Sequence, residues 1–261
     1  MKKLILIIYA IVFFFTACKK EEGCMDPSAL NYNADSSIDN GSCYYESFTD
    51  ITIYFQHFIN AEEVIMNDMI YTNQSNIDYS VQRLRYLISN IKLTSNKGEE
   101  TILNEVHFID ISIDSTLTLN IPNVNSTKNY TSISFTMGLD SIKNKTNLFL
   151  NESFFPSFLW PDFLGGGYHY MQLEGDFNTV FNGYTTHTGG TNGIDFSFNK
   201  TFPFSLEETN SVVNIYINME LTNWYNNPEI FNLTADGIMG DVNKQAILKS
   251  NGIEDVFSIN F

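Results

Sequence analysis

The residues best suited to chemistry lie in one stretch, between residues 154 and 190. It contains His169 and His187, two of the chain's four histidines, and Trp160, one of its two tryptophans. Residues 168–173 alternate as a β-strand does, which predicts that His169 lies on the more apolar face of that strand. A neutral imidazole on such a face needs either a hydrogen-bond partner or a metal ion. From the residues alone, two core histidines bonded to backbone carbonyls remain the alternative to a metal site.

The elements that must position these side chains are predicted to be strands, because Asn, Ser, Thr, Phe, Tyr and Ile dominate the composition. Helical periodicity is limited to residues 243–250 and the neighbourhood of 141–147. Many strands joined by short turns predict an all-β fold, an antiparallel β-sandwich with few short helices over residues 48–261. The predicted strands are 51–58, the second half of 78–93, 106–113, 116–121, 130–139, 168–174, 196–204, 212–221 and 256–261.

Charge and motifs exclude several classes of function. The formal net charge is −16, which excludes nucleic-acid binding because a phosphate backbone requires a basic surface. The sequence contains no P-loop, no paired zinc-type cysteines and no Gly-x-Ser-x-Gly motif. No constellation of nucleophile and base is visible either, so we expect a binding protein and not an enzyme.

The N-terminus reads as an export signal followed by a lipid anchor. A basic start precedes an apolar run, residues 4–15, that is too short to span a bilayer. Small residues then lead to Cys18, which resembles a bacterial lipobox in which that cysteine is lipidated. We therefore predict a lipoprotein signal peptide at 1–17 and a tether at 18–23. The residues after the cysteine resemble those of outer-membrane lipoproteins, facing the cell surface or the periplasm, so contact with the membrane is expected only through the lipid.

A small module, residues 24–45, is predicted to be closed by a disulfide. Cys24 and Cys43 are the two cysteines left once Cys18 is lipidated, and an even remainder in an exported protein indicates a disulfide. It closes a loop of roughly 20 residues, worth about 3 kcal/mol in the chain-entropy model. The loop resembles a short module of Bacteroidota surface proteins, and its oxygen-bearing side chains either bind calcium or form polar turns. The candidate calcium ligands are Asp26, Asn31, Asn33, Asp35 and Asp39.

Residues 50–261 resemble the MbnP-like copper-binding family, which includes periplasmic and surface proteins linked to methanobactin and copper uptake. Four segments and a closing segment carry the resemblance by their order and spacing. They are Phe55-Gln56-His57; residues 71–73 with 79–91; residues 134–140; Trp160-Pro161 with residues 166–175 and His187-Thr188-Gly189-Gly190; and residues 251–257.

The resemblance implies a copper site and a partner. Family members bind copper with histidines and a tryptophan oxidised to kynurenine, which implies His57, His169, His187 and Trp160 as metal-site residues in this chain. A di-haem protein related to cytochrome c peroxidase performs that oxidation in the family and is the implied partner. The expected function is that of a lipoprotein that binds copper for acquisition or handling. The alternative is a metal-free β-sandwich that docks a partner such as the di-haem protein.

Overall fold

The computed structural model describes residues 20–178, 183–206, 212–233 and 237–261. The predicted signal peptide and the lipidation site at Cys18 lie outside the described residues. The chain divides into two compact units, residues 1–46 and 47–261. In the part of the chain that is described, no helix is both long and apolar enough to cross a membrane.

Strands dominate the second unit, whereas the described part of the first unit has two strands of two residues each. The one α-helix of the described residues, α1, is Val242–Glu254, and short 3-10 turns occupy Asp114–Thr116, Asp162–Leu164 and Leu221–Tyr225. The strands are β1 (Glu22–Gly23), β2 (Ile38–Asp39), β3 (Phe48–Ile59), β4 (Glu62–Glu63), β5 (Tyr71–Thr72), β6 (Asp78–Tyr79), β7 (Arg83–Ser95), β8 (Glu100–Asp110), β9 (Thr118–Asn125), β10 (Tyr130–Met137), β11 (His169–Asp176), β12 (Gly183–Gly189), β13 (Phe198–Pro203), β14 (Val212–Glu220) and β15 (Phe257–Asn260).

The larger sheet of the second unit has six strands arranged around β7. Its order is β12-β11-β7-β10-β13, and β8 also pairs with β7. All of these pairings are antiparallel. The hairpin of β11 and β12 therefore lies at one end of the sheet, with β7 holding β11 in place.

The smaller sheet has five strands and packs face to face with the larger one. Its order is β15-β14-β3-β4, with β9 also on β3, and the pair β3 and β14 is parallel. Alternate residues of β3, such as Ile51, Ile53 and Phe55, are buried against inward-facing residues of β7, such as Tyr86 and Ile88. The core of the sandwich is thus built from one face of each sheet, as the period-2 pattern requires.

A second apolar cluster covers part of the outer face of the larger sheet. It contains Leu87, which lies between the inward-facing Tyr86 and Ile88 of β7 and so points the other way. The long connection between β10 and β11 supplies most of the other buried members. They are Leu139, Phe154, Phe158, Tyr168 and Tyr170, together with Phe196. This cluster brings Trp160 and its neighbours onto the outer face of β11 and β12.

The predicted fold class is confirmed, and three element predictions need correction. Strand β12 was not among the predicted strands, and β8 begins six residues before the predicted strand at 106. Residues 141–147 form turns instead of a helix. Asn147 has a positive φ of 66°, which a right-handed helix cannot accommodate. The predicted disulfide between Cys24 and Cys43 is present in the first unit.

Candidate metal centre

Trp160, His169 and His187 lie against one another. The ring centroids of Trp160 and His169 are 4.8 Å apart, and those of His169 and His187 are 4.9 Å apart. Both contacts are edge to face, with interplanar angles of 76° and 87°. Three side chains that are up to 27 positions apart in the sequence (187 minus 160) therefore form one cluster.

The hairpin of β11 and β12 sets the two histidines side by side. His169 pairs with Gly189 and Gln172 pairs with His187, and the register shifts between His169 and Met171. Regular alternation along β11 predicts that His169 faces the core together with Met171 and Leu173. The register shift interrupts this alternation, so His169 does not face the core as those two residues do. Its imidazole instead contacts Phe158 of the outer cluster, at 5.5 Å between ring centroids.

A short ladder outside the sheet holds Trp160 beside His169. The Trp160 amide donates to the Gly167 carbonyl at 2.9 Å, and the His169 amide donates to the Phe158 carbonyl at 2.9 Å. The indole then lies over Gly189, where a Cβ atom would come within 2.6 Å of Trp160 Cε3. Glycine is therefore required at position 189 for the tryptophan to reach the histidines.

Three buried nitrogen atoms of this cluster have no hydrogen-bond partner. They are Nε1 of Trp160, Nδ1 of His169 and Nδ1 of His187. An unpaired polar atom in the interior carries a desolvation penalty of about 1–3 kcal/mol, and native proteins rarely leave several together. The two imidazole nitrogens can accept a metal ion, so this donor set fits a metal that prefers histidine.

His187 is oriented by an acidic neighbour. Its Nε2 atom lies 2.8 Å from Oε1 of Glu174, whose other oxygen accepts from Arg83 at 2.5 Å. The hydrogen bond from His187, together with Arg83, lowers the pKa of Glu174 to about 2, against the opposing effect of burial. The carboxylate is therefore ionised and accepts from a protonated Nε2; in a neutral imidazole with this tautomer, Nδ1 carries the lone pair.

His169 is held in the neutral form. Burial is the main cause that lowers its pKa to about 3; electrostatic repulsion by His187 and Arg85 acts in the same direction, and Glu174 opposes it. Arg85 itself donates to Gln172 at 2.5 Å and lies 5.9 Å above the Phe158 ring centroid. Because metals bind the neutral imidazole, this environment keeps His169 ready to act as a ligand across the ordinary pH range.

The two imidazoles are too close together to lie on opposite sides of an ion. An imidazole nitrogen lies about 1 Å from its ring centroid and a metal–imidazole bond is about 2 Å long, so a linear pair would have centroids about 6 Å apart. The observed 4.9 Å is shorter. Unmodified Trp160 cannot act as a third ligand, because its indole nitrogen is a donor only.

His57, which the family resemblance implies as a metal-site residue, does not lie in this cluster. Its Nε2 atom lies 3.0 Å from the hydroxyl of Tyr86, which faces the core between the sheets. The neighbouring Arg85 points to the opposite face, where it bonds Gln172, the cross-strand partner of His187. The larger sheet itself therefore separates His57 from His187. Burial lowers the pKa of His57 to about 4.

Among the described residues, no group of three or more His, Cys, Asp or Glu side chains is arranged to hold a metal ion. The candidate centre thus consists of two histidines and Trp160. The fourth histidine, His107, lies in a structural position, with Nε2 2.9 Å from the Thr116 carbonyl and its ring stacked on Phe55.

The candidate calcium ligands of the first unit take part in local hydrogen bonds. Asp26 accepts from Ser28 and from the Tyr45 hydroxyl, and Asp39 accepts from the Gly41 amide. Asn31 bridges the backbone of residues 42 and 44, and Asn33 accepts from the Asp35 amide. These bonds are those of polar turns, so the structure adds no support to the calcium interpretation.

Sequence analysis missed three residues that shape this centre: Glu174, Arg83 and Gln245. Gln245, on α1, donates to the His187 carbonyl at 2.8 Å and accepts from the Gly189 amide at 3.3 Å. Glu174 is on the same strand as His169, but its contact with His187 depends on the register of β12, which no local pattern indicated. For Gln245 the one available signal was its spacing of three to seven positions from Leu248, Asn251 and Gly252, which places all four on the buried face of α1.

The fold and the cluster define a class: a β-sandwich with a histidine pair and a tryptophan on the outer face of its larger sheet. A family model described as MbnP matches residues 48–240, so the chain belongs to the MbnP family. The solved structure of MbnP from Methylosinus trichosporium is similar, with a TM-score of 0.54 and 11% sequence identity. The match covers 82% of this chain and 98% of that one, and at this identity it shows a shared fold. No curated protein matches the chain.

Proposed function

We propose that the protein binds Cu(I) between His169 and His187, for copper acquisition or handling and without catalytic turnover. The observation that supports this most directly is the meeting of two buried imidazoles whose Nδ1 atoms have no hydrogen-bond partner. Cu(I) is a soft ion that is satisfied by imidazole ligands at low coordination number. Membership of the MbnP family, which relates to methanobactin-associated copper handling, supports the same ion.

The histidine pair is tested by Cu(I) titration under anaerobic, reducing conditions against a chromogenic Cu(I) chelator. We expect one Cu(I) per chain in the wild type and loss of tight binding in both His169→Gln and His187→Gln. His57→Gln and His107→Gln are the matched controls, because they remove the other two histidines and should leave the affinity unchanged. Equal affinity in all five proteins, or no binding in the wild type, would refute the proposal.

We further propose that Trp160 becomes the third ligand after oxidation to kynurenine. In that reaction two oxygen atoms enter across the indole C2–C3 bond, which breaks, and hydrolysis then removes one carbon as formate. The products at Trp160 are a ketone and an aryl amine with a nitrogen lone pair, so a donor-only group would become able to act as a ligand to Cu(I). A di-haem partner related to cytochrome c peroxidase would catalyse the oxidation, with two molecules of hydrogen peroxide as the oxidant that supplies both oxygen atoms and is reduced to water.

Mass spectrometry tests this modification. After co-expression with such a partner, the peptide containing Trp160 should lose one carbon and gain one oxygen, and the affinity for Cu(I) should rise. The peptide containing Trp224 is the internal control and should keep its mass. If Trp160→Phe binds Cu(I) as tightly as the co-expressed wild type, the modification has no role in binding.

The proposed cellular setting is an outer-membrane lipoprotein anchored through Cys18, with residues 1–17 removed. This part of the proposal is supported by the sequence pattern alone, since it concerns residues outside those described. Labelling with a clickable fatty acid should mark the wild type and not Cys18→Ala. Label that survives the substitution would exclude lipidation at this cysteine.

A docking function is the second candidate, and exposed apolar residues favour it. Phe163 is 85% exposed and Ile142 is 80% exposed, both in the connection that covers the outer face of β11. Exposed apolar side chains mark a contact surface when they form one contiguous patch. A wild type that binds no Cu(I) but co-purifies with the di-haem partner, and loses it on Phe163→Ser, would favour this function over copper binding.

A further inference from the structure

Glu174 bridges a cation and a histidine at the edge of the candidate metal centre. Its Oε2 atom accepts from Arg83 and its Oε1 atom lies 2.8 Å from Nε2 of His187. Glu174 and Arg83 are directly paired across β11 and β7, so two strands fix the position of the carboxylate. The side chains of His187 and Glu174 are only 13% and 22% exposed, which limits competition from water.

This contact determines which nitrogen of His187 carries the proton. A carboxylate paired with arginine is ionised and can only accept hydrogen bonds, so Nε2 must be the protonated atom. In a neutral imidazole the lone pair then belongs to Nδ1, and Nδ1 of His187 is buried and without a partner. The same hydrogen bond holds the ring at its contact with His169.

We propose that Glu174 is a positioning residue that fixes His187 as its Nε2-protonated tautomer, so that the metal ion binds His187 through Nδ1, with Arg83 holding the carboxylate in place. The proposal deepens the proposed copper site and depends on it for the identity of the ion. Carboxylate partners of this kind set the orientation and basicity of metal-binding histidines, and losing one weakens metal affinity by about 10- to 100-fold.

The tautomer can be read directly in the metal-free protein. Two-bond ¹H–¹⁵N correlation spectra of histidine-labelled protein distinguish a protonated from an unprotonated ring nitrogen. In the wild type we expect the His187 signal of a protonated Nε2 and a bare Nδ1, and on addition of Cu(I) alone we expect the Nδ1 resonance to shift. In Glu174→Ala we expect a mixture of tautomers and an affinity for Cu(I) about 10- to 100-fold weaker.

Two further variants separate positioning from general destabilisation. Glu174→Gln keeps an oxygen acceptor without the charge, and we expect it to keep more of the wild-type tautomer and affinity than the alanine variant. Glu100→Ala removes another carboxylate of the same sheet, which is paired with Lys92 and is the matched control. Glu100→Ala should leave the His187 spectrum and the affinity unchanged.

The outcomes distinguish this proposal from the copper site itself. If the wild type binds Cu(I) but its His187 is protonated on Nδ1, or if Glu174→Ala changes neither tautomer nor affinity, the role of Glu174 is refuted while the copper site stands. If His187 has the expected tautomer and Glu174→Ala scrambles it, but Cu(I) shifts no histidine resonance in the wild type, the copper site is refuted and the assignment of Nδ1 as a ligand falls with it.

Discussion

Each of the two tryptophans has a buried indole nitrogen without a hydrogen-bond partner. Their different neighbours distinguish a candidate site residue from a core residue. The Nε1 atoms of Trp160 and Trp224 are both without a partner. Trp224, however, lies among Phe198 and Phe257, at ring centroid distances of 6.1 and 6.3 Å, and has no histidine nearby among its aromatic contacts. Trp160 contacts His169 instead. The unpaired nitrogen of Trp224 has no similar group beside it. The three unpaired nitrogens of Trp160, His169 and His187 lie in one cluster, where a single ligand could contact them.

At the residue scale, His57 should govern part of the pH dependence of stability. The pKa of His57 is about 4 in the folded chain and 6.5 in the unfolded chain. Between these two pH values the imidazole is protonated in the unfolded chain and neutral in the folded chain. The free energy of unfolding should therefore fall by about 2 kcal/mol from this group between pH 7 and pH 5. His57→Gln should remove that fall, as measured by urea unfolding.

The comparison at pH 8 is the control for His57→Gln. There the imidazole is neutral in both the folded and the unfolded chain, so any difference between the two proteins reflects packing and the hydrogen bond to Tyr86 alone. A wild-type stability that is flat from pH 7 to pH 5, or a variant with the same slope as the wild type, would show that His57 is not buried as a neutral group.

Individual site residues were predictable where they lie in the one segment that the sequence analysis had identified. The sequence pattern and the family resemblance identified Trp160, His169 and His187, and these three are adjacent in the structure. His57 is also a histidine and was predicted as a ligand on the same grounds. Whether it reaches the site depends on how the two sheets are arranged, which the local sequence does not show. Glu174 was missed for the same reason, since its partner is chosen by strand register and not by any local pattern.

At the scale of elements, helix α1 supports the backbone of β12 through one buried amide. Gln245 is 1% exposed and bonds the backbone at His187, Gly189 and Ile238. The other edge of β12 is paired with β11, so Gln245 completes the hydrogen bonding of the strand segment that carries the histidine. The helix therefore contributes to the site without placing any side chain on the candidate ion.

Replacing Gln245 by leucine should loosen this strand. The substitution leaves buried backbone groups of β12 unpaired, at a cost of about 1–3 kcal/mol. We expect a lower free energy of unfolding, faster hydrogen exchange at the Gly189 amide and weaker Cu(I) binding. Asn243→Leu makes the same amide-to-leucine change at an exposed position of α1 and is the control. Exchange at Gly189 that is equal in the two variants would contradict the role of Gln245.

The close approach of Trp160 to the backbone of β12 gives a second test at this scale. In Gly189→Ala the new methyl group would lie 2.6 Å from Trp160 Cε3, so the indole must move or the strand must shift. We expect a destabilisation of about 1–3 kcal/mol and a changed near-ultraviolet dichroism of Trp160. Gly237→Ala is the matched control, because its methyl group would meet no atom within 4 Å. A wild-type spectrum and stability in Gly189→Ala would exclude this packing.

Strands were predictable where the sequence shows a clear alternation of apolar and polar residues. The strands of the core, such as β3 and β14, alternate buried and exposed residues along most of their length and were found close to their true bounds. Strand β12 has three threonines, a histidine and a glycine at each end, with Tyr184 as its one large apolar residue. Its hydrophobic period is therefore weak although it pairs with β11 over most of its length. The connection from residue 138 to 168 shows no regular hydrophobic period. It contains turns, which are held by backbone hydrogen bonds and by the aromatic cluster, and such structure leaves no periodic pattern in the sequence.

At the scale of the whole molecule, the strongly acidic surface agrees with a protein that handles cations. The net charge of −16 attracts positive ions over a distance of about 8–10 Å at moderate salt, which raises their local concentration near the site. Selectivity, however, must come from the neutral imidazoles, because carboxylates favour hard ions and imidazoles favour softer ones. Charge and ligand chemistry thus act at different steps of ion capture.

The division of the chain into two units leads to the last prediction. Trp160, His169, His187 and Glu174, like all strands of both large sheets, belong to the unit of residues 47–261. Residues 47–261 expressed alone should therefore fold, bind one Cu(I) per chain and unfold at the same urea concentration as the same residues do within the mature protein. The full-length Cys24→Ser/Cys43→Ser variant is the control, since it disrupts the first unit while keeping the complete chain. If the isolated unit is unfolded, or if it binds Cu(I) more weakly than both full-length proteins, the first unit is required for the site, and the centre defined by β11 and β12 is incomplete without it.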